Sequence, residues 1–266
     1  MNVIENIKFL KRRLLPSKYG WFGDYPDWQK ALQESQGYDD KLILDKVKTA
    51  TLKVKSGEAV YERDSVLFDK IEYSWPLLSS ILWQAARKKG QISVVDFGGS
   101  LGSTYFQNKL FLDGLEKVEW SIIEQPKFVD SGRSMIADDV LRFFYSIEDC
   151  IAERGFPDIL IIACTLPYLE KPYEFLDQIM SFKIPYVVID NTPFNYENRD
   201  RLTIQKINPL IYAASYPCWF LNYEHIKKAL TKEYSVMYEY QNELFIYLDG
   251  YKVYYRGLTA AVKYRS

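Results

Sequence analysis

Between residues 91 and 190 the chain carries four short apolar runs, at 92–97, 118–123, 159–163 and 186–190, all rich in Val and Ile. Each is too short to be a helix and long enough to be a buried strand. The stretches between them have the dozen or more residues that a crossover helix needs to join parallel strands. This pattern predicts a βαβ series and an α/β fold built on a mostly parallel sheet. Farther on, 244–248 and 251–255 are β-rich runs around Asp249-Gly250. A DG pair between such runs signals a hairpin, so the sheet is expected to finish with antiparallel strands.

The first 90 or so residues read differently, with apolar residues recurring at the helical period. Val3, Ile7, Leu10 and Leu14 form a stripe, with Lys11, Arg12 and Arg13 beside its last turn and Pro16 closing it. The favoured reading is a helix packed on its own domain; a membrane-surface helix is the alternative. Residues 19–28 read as an aromatic loop punctuated by Gly20, Gly23 and Pro26, with Asp24 or Asp27 capping the next helix. A helix is expected over 40–56, ended by Gly57, and residues 61–65 lead into another helical stretch through Trp75 and Trp83. The expected organisation is a helical N-terminal cap over 1–90 followed by the α/β domain over 91–266.

Composition narrows the function. Lys and Arg total 34 against 35 Asp and Glu, a formal charge of -1, so no global charge draws the chain to nucleic acid. The apolar runs are far shorter than the ~20 residues of a membrane helix, and the opening residues lack a signal-peptide pattern. Three cysteines, Cys150, Cys164 and Cys218, form no CxxC, and His225 is the sole histidine, so no zinc site is expected. The resulting expectation is a cytoplasmic protein without a structural metal, although a weakly held magnesium ion stays compatible with its carboxylates.

The richest segment is Asp96-Phe97-Gly98-Gly99-Ser100-Leu101-Gly102, where a strand ends in an acid and a glycine turn opens a helix. A carboxylate there repels the pyrophosphate that such a turn holds in dinucleotide sites. S-adenosylmethionine reverses the sign, because it carries a sulfonium and an ammonium and no phosphate. A second acid, Glu124, ends the next strand 28 residues on, where its carboxylate can accept two ribose hydroxyls.

At this point the chain resembles class I S-adenosylmethionine-dependent methyltransferases. More narrowly, it resembles a methyltransferase family found in bacterial surface-polysaccharide gene clusters. The narrower likeness is carried by the glycine segment, Ile123-Glu124-Gln125-Pro126, Thr165-Leu166-Pro167-Tyr168-Leu169, Ile189-Asp190-Asn191-Thr192-Pro193 and Tyr212-Ala213-Ala214-Ser215-Tyr216-Pro217. Gly37-Tyr38-Asp39 and Tyr61-Glu62-Arg63-Asp64-Ser65 fit as well. The resemblance implies a Rossmann-like sheet, S-adenosylmethionine as cofactor, and a sugar or glycan precursor as acceptor. It implies that Asp96, Phe97, Gly98, Gly99, Ser100 and Gly102 surround the methionine end, and that Glu124 binds ribose with Gln125 beside it. Asp138 and Asp139 match an adenine-contacting turn, and Ala163 and Cys164 line the methyl-transfer side. Gly99-Ser100 departs from the commonest glycine spacing, and no Asn/Asp-Pro-Pro-Tyr/Phe motif is present.

For the chemistry, Glu62 and Arg63, with Asp64, are candidates at the entrance between cap and core, and Asp190 closes a strand on the ligand-binding edge. Tyr168 and Tyr216 suit stacking on a sugar ring. Arg199 and Arg201 suit an anionic acceptor, His225 is a weaker candidate base, and Cys164 reads as a small buried residue. Two alternatives remain: an NAD-dependent sugar oxidoreductase using the same glycine turn, and a catalytically inactive binding or assembly subunit of the same fold.

Overall fold

The computed structural model describes residues 17–36, 40–195 and 197–263. The stripe over 1–16 and the Gly37-Tyr38-Asp39 block lie outside the described residues. The sheet itself forms where the apolar runs place it: β4 (Gln91–Phe97), β5 (Lys117–Ile123), β7 (Ile159–Ala163) and β8 (Tyr186–Pro193). A further strand, β6 (Leu141–Phe144), joins them, and β11 (Tyr234–Leu248) and β12 (Tyr251–Val262) form the C-terminal hairpin. The seven strands run in the order β11-β12-β8-β7-β4-β5-β6, with β4 to β8 parallel and β12 antiparallel to both neighbours. Asp249 and Gly250 make the hairpin turn with φ of 49° and 86°, as a two-residue turn of that type requires. This is a Rossmann-like doubly wound sheet.

Alternation along the strands divides the core between the two faces. Val94, Trp120 and Ile161 pack on one side against α2 (Asp40–Ser56), α3 (Trp75–Arg87), α4 (Ser103–Leu112) and α5 (Pro126–Met135), through residues such as Val47, Leu77, Tyr105 and Val129. Val95, Leu160 and Ile162 pack on the other against α6 (Ile147–Arg154), α7 (Pro172–Phe182) and α8 (Tyr223–Leu230), through Ile147, Leu176 and Ile226. Both faces are therefore dry, which is why these strands read as nearly continuous apolar runs. The helices of residues 40–87 share one core with the sheet.

The N-terminal segment is helical only in part. Residues 20–25, read from sequence as a loop, form strand β1 (Gly20–Tyr25), which pairs antiparallel with β9 (Arg201–Lys206); β10 (Ser215–Phe220) completes a three-stranded sheet. The pairing is long-range, so the local Gly and Pro signals outweighed it in sequence. Asp27 does cap α1 (Trp28–Glu34), accepting from the Lys30 amide at 2.8 Å. Helix α1 packs on the small sheet through Ala31, and Trp28 stacks on Trp219 at 6.4 Å. Residues 61–68 form a hairpin, β2 (Tyr61–Arg63) and β3 (Val66–Phe68), where sequence suggested a helix start. Its turn residues Asp64 and Ser65 both take positive φ, 51° and 69°, so this too is a two-residue hairpin turn. No helix among the described residues is long and apolar enough to cross a membrane.

Candidate active site

In a sheet of this order ligands meet the carboxyl ends of the strands, in the crevice where the order reverses, here between β4 and β7. Asp96 and Phe97 end β4, Glu124 follows β5, Cys164 and Thr165 follow β7, and Asp190 lies level with Ala163 across the β7–β8 pair. The sequence candidates at these four strand ends are thus brought to one edge.

The glycine segment makes a tight turn stitched to its neighbours. The Gly98 amide donates to the Ile123 carbonyl at 2.9 Å, and Gly102 donates to Gly99 at 3.0 Å. Gly98, Ser100 and Gly102 all have positive φ, so the extra residue in the glycine spacing is absorbed by Ser100 in the left-handed region. A Cβ on Gly99 would lie 2.7 Å from the Asp96 carboxyl carbon, and one on Gly98 would lie 2.5 Å from Thr165. The loop backbone therefore sits directly on both residues. Thr165 Oγ1 in turn donates to the Phe97 carbonyl at 3.0 Å, and the Phe97 ring lies 4.2 Å from that of Phe175.

Asp96 is 1% exposed; its Oδ2 accepts from Trp120 Nε1 at 3.4 Å, and its Oδ1 has no partner among the described residues. Burial, with a small contribution from Glu124, pushes its carboxyl up to about 7. Glu124 is held by the backbone: the Ser100 amide donates to Oε1 at 3.2 Å and the Gln125 amide to Oε2 at 2.7 Å. Burial raises its carboxyl while these two amides work against the rise. Each oxygen keeps a lone pair for a further donor.

The β2–β3 hairpin brings Glu62 to the same place. Buried at 1% exposure, Glu62 accepts from the Ser103 hydroxyl at the first turn of α4 and from the Ser65 amide at 3.3 Å. Burial pushes its carboxyl up to about 7. Burial opposes the Arg63 charge, and Tyr61, Asp64 and Asp190 around it more than restore it, so its pKa is raised. Asp190 is enclosed: Oδ1 accepts from Ser74 Oγ at 3.0 Å and Tyr240 OH at 2.6 Å, and Oδ2 from Asn191 Nδ2 at 3.2 Å. Gly257 makes this possible, since a Cβ there would collide with the Tyr240 hydroxyl at 2.4 Å. Tyr168 donates to Gln205 at 2.9 Å and meets the Tyr216 ring edge-on at 5.6 Å. The Cys164 thiol is pushed up to about 12 by burial, which leaves it no use as a nucleophile.

Other sequence candidates are not brought here. Asp138 and Asp139 precede β6, whose first residue pairs level with Trp120 in mid-β5, so they lie toward the opposite edge of the sheet. Asp138 Oδ1 there accepts from the Val140 and Leu141 amides at 2.9 and 2.7 Å. The expected adenine contact is thereby corrected: the strand that follows them was not recognised in sequence, and its site-facing end is Phe144, followed by Tyr145. Arg199 and Arg201 are not free for an anionic acceptor. Arg199 forks onto Asp24 at 3.1 and 2.7 Å, and Arg201 bonds the Gly23 carbonyl twice and Asp249 once, so both fasten β1 to the small sheet. His225 lies in the first turn of α8 beside Asp200, with Nδ1 to Oδ1 at 3.8 Å. Among the described residues no group of acids, histidines and cysteines is arranged to hold a metal ion.

No protein-family profile matches this sequence, and no curated protein is similar to it at a significant level. Among solved structures, the chain is similar to a SAM-dependent methyltransferase from Methanosarcina mazei, with 12% identity, TM-score 0.49, and coverage of 71% of this chain and 97% of that one. It is similar to the Burkholderia thailandensis 1,6-didemethyltoxoflavin-N1-methyltransferase with bound S-adenosylhomocysteine, at 11% identity and TM-score 0.48, covering 93% and 97%. It is also similar to the magnesium protoporphyrin IX methyltransferase of Synechocystis PCC 6803 with bound SAM, at 14% identity and TM-score 0.46, covering 86% and 99%. At these values the likenesses carry no functional argument, which rests on the site itself.

Proposed function

We propose that this chain is an S-adenosylmethionine-dependent methyltransferase acting on a hydroxyl or amine of a small polar acceptor. One observation carries the reading. The glycine turn and the helix N-terminus behind it, where a dinucleotide would rest its pyrophosphate, are already held by carboxylates: Glu124 on the Ser100 amide and Glu62 on the Ser103 hydroxyl, with Asp96 beneath. Three acids around that turn disfavour NAD and suit a ligand that is cationic and free of phosphate.

Glu124, with spare acceptor capacity on both oxygens, is the residue for the ribose hydroxyls, and Gln125 lies beside it. Asp96 acts from below the loop: its Oδ1, without a partner among the described residues, is a buried acceptor under the methionine end, surrounded by Phe97, Gly98, Gly99, Ser100 and Gly102. Ala163 and Cys164 border the transfer side, and Tyr145 takes over the edge position first expected of Asp138 and Asp139. When bound, the cofactor supplies an electrophilic methyl group on a sulfonium. What the chain does is position the acceptor, exclude water and take a proton. In this reading the described residues between 17 and 90 roof the acceptor. A sugar or surface-polysaccharide precursor is supported by the sequence resemblance alone. Asp96→Ala and Glu124→Ala test the assignment: each is expected to weaken S-adenosylmethionine binding at least ten-fold with the far-UV spectrum unchanged, and unchanged affinity in both overturns it.

A further inference from the structure

We infer that the chain pairs with a second copy of itself through the outer face of α3, the two helices running antiparallel and meeting at Ser79. Two tryptophans stand out of that face. Trp75 and Trp83 are 60% and 59% exposed, and Leu110, on α4, is 73% exposed. Trp75, Ser79 and Trp83 recur every four residues, so they form one ridge of the helix, while Leu77, Leu78, Ile81 and Ala85 are buried on the opposite side. The patch continues sideways. Tyr73, Trp75 and Phe111 form a ring cluster with centroids 5.1 to 6.0 Å apart, which joins α3 to α4 next to Leu110. Trp75 is thereby held in place before any partner arrives, and anchored aromatic side chains of this kind dominate the energetics of interfaces.

The shape of the ridge fits its own copy. A large residue on either side of a small one is self-complementary about Ser79: in a two-fold antiparallel pair Trp75 of one helix lies beside Trp83 of the other, and the two serines face each other. Ser79 brings little polar surface to that contact, because its hydroxyl donates back to the Pro76 carbonyl of its own helix at 2.9 Å. The charges fix the direction. Asp69, Lys70 and Glu72 precede α3 with a net negative charge, whereas Arg87, Lys88 and Lys89 end it, and all six are exposed. Antiparallel pairing sets the acidic end of each copy against the basic end of the other, and parallel pairing would set basic on basic. The area is sufficient as well. With aromatic side chains of ~150–250 Å² each, Trp75, Trp83 and Leu110 leave about 400 Å² of apolar surface exposed. That is about half of the ~800 Å² per partner that a stable interface buries, close to the apolar share such interfaces carry.

The test is sedimentation equilibrium of the full chain, and it is independent of the methyl-transfer reading. The wild type is expected to approach twice the 31.3 kDa of one chain as its concentration rises through the micromolar range. Ser79→Arg, a change at an exposed position, is expected to hold it at the mass of one chain with the far-UV spectrum unchanged. A cysteine reads the axis directly. Helices packed with axes ~8–10 Å apart, each with a Cα radius of ~2.3 Å, bring facing Cα atoms to about 4–5 Å, within disulfide reach. Ser79→Cys is therefore expected to cross-link into a covalent dimer under oxidised glutathione. Ala86→Cys, also exposed but about 20 Å from its own copy in this arrangement, is not. The wild type in the same oxidant sets the baseline for Cys150, Cys164 and Cys218. A wild type that stays at the mass of one chain overturns the inference, as does a dimer that survives Ser79→Arg, or cross-linking of Ala86→Cys as readily as of Ser79→Cys. A monomer whose tryptophan fluorescence shifts on phosphatidylglycerol vesicles makes the patch a membrane face and overturns it too.

Discussion

Burying Asp96 has a thermodynamic signature that can be read without any ligand. In the unfolded chain its carboxyl titrates near 3.8, and in the fold near 7. Across that window the native state keeps a proton that the unfolded state gives up, so the Asp96 contribution is most favourable below pH 3.8 and is lost as pH rises through about 7. At roughly 1.36 kcal/mol per unit over about three units, the loss is about 4 kcal/mol, complete above neutrality. Asp96→Asn removes the titration and keeps an acceptor for Trp120 Nε1. Glu62, also raised to about 7, gives a slope of the same sign, but it is common to both proteins and cancels in their difference. Urea unfolding of the wild type and of Asp96→Asn between pH 4.5 and 7.5 measures this directly. The variant is expected to gain on the wild type steadily with pH, by several kcal/mol in total. Parallel stability curves would refute the claim that Asp96 is held at elevated pKa beneath the loop.

Gly99→Ala drives a methyl group against the Asp96 carboxyl and is expected to cost about 1–3 kcal/mol in chemical denaturation. In an Asp96→Ala background, where the obstacle is gone, the same change is expected to cost less than about 0.5 kcal/mol. Tyr240→Phe leaves Asp190 Oδ1 with Ser74 alone and is expected to lower stability by about 1–3 kcal/mol, with an unchanged value arguing against the enclosed Asp190 arrangement. Arg201→Ala, which removes three bonds linking β1, β9 and the C-terminal hairpin turn, is expected to raise amide exchange in β1 well before that in β4. Simultaneous loss of protection in both strands would contradict it.

The central sheet was legible because both of its faces are covered, so each strand announces itself as an apolar run. The exception is β6, only four residues long and interrupted by Arg142, and missing it misplaced Asp138 and Asp139. The segments that pair over long distance were the illegible ones: β1 needs β9, some 180 residues away, and its glycines spoke only of a loop. The β2–β3 hairpin turns on Asp64-Ser65 and not on the Asn-Gly or Asp-Gly pairs that signal such turns. At the site, Asp96, the glycine turn and Glu124 were readable because strand, acid and turn are contiguous. The occupation of Glu62 and Asp190 depends on partners in other elements. Sequence offered the acids but no means of choosing among them.

The account turns on the claim that the glycine edge accepts S-adenosyl ligands and refuses dinucleotides. Calorimetric titration of the full chain with S-adenosylhomocysteine, with NADH in parallel, tests it most directly. Saturable binding of S-adenosylhomocysteine, weakened at least ten-fold by Glu124→Ala, and no heat with NADH are predicted. Binding of NADH in place of S-adenosylhomocysteine would contradict the account.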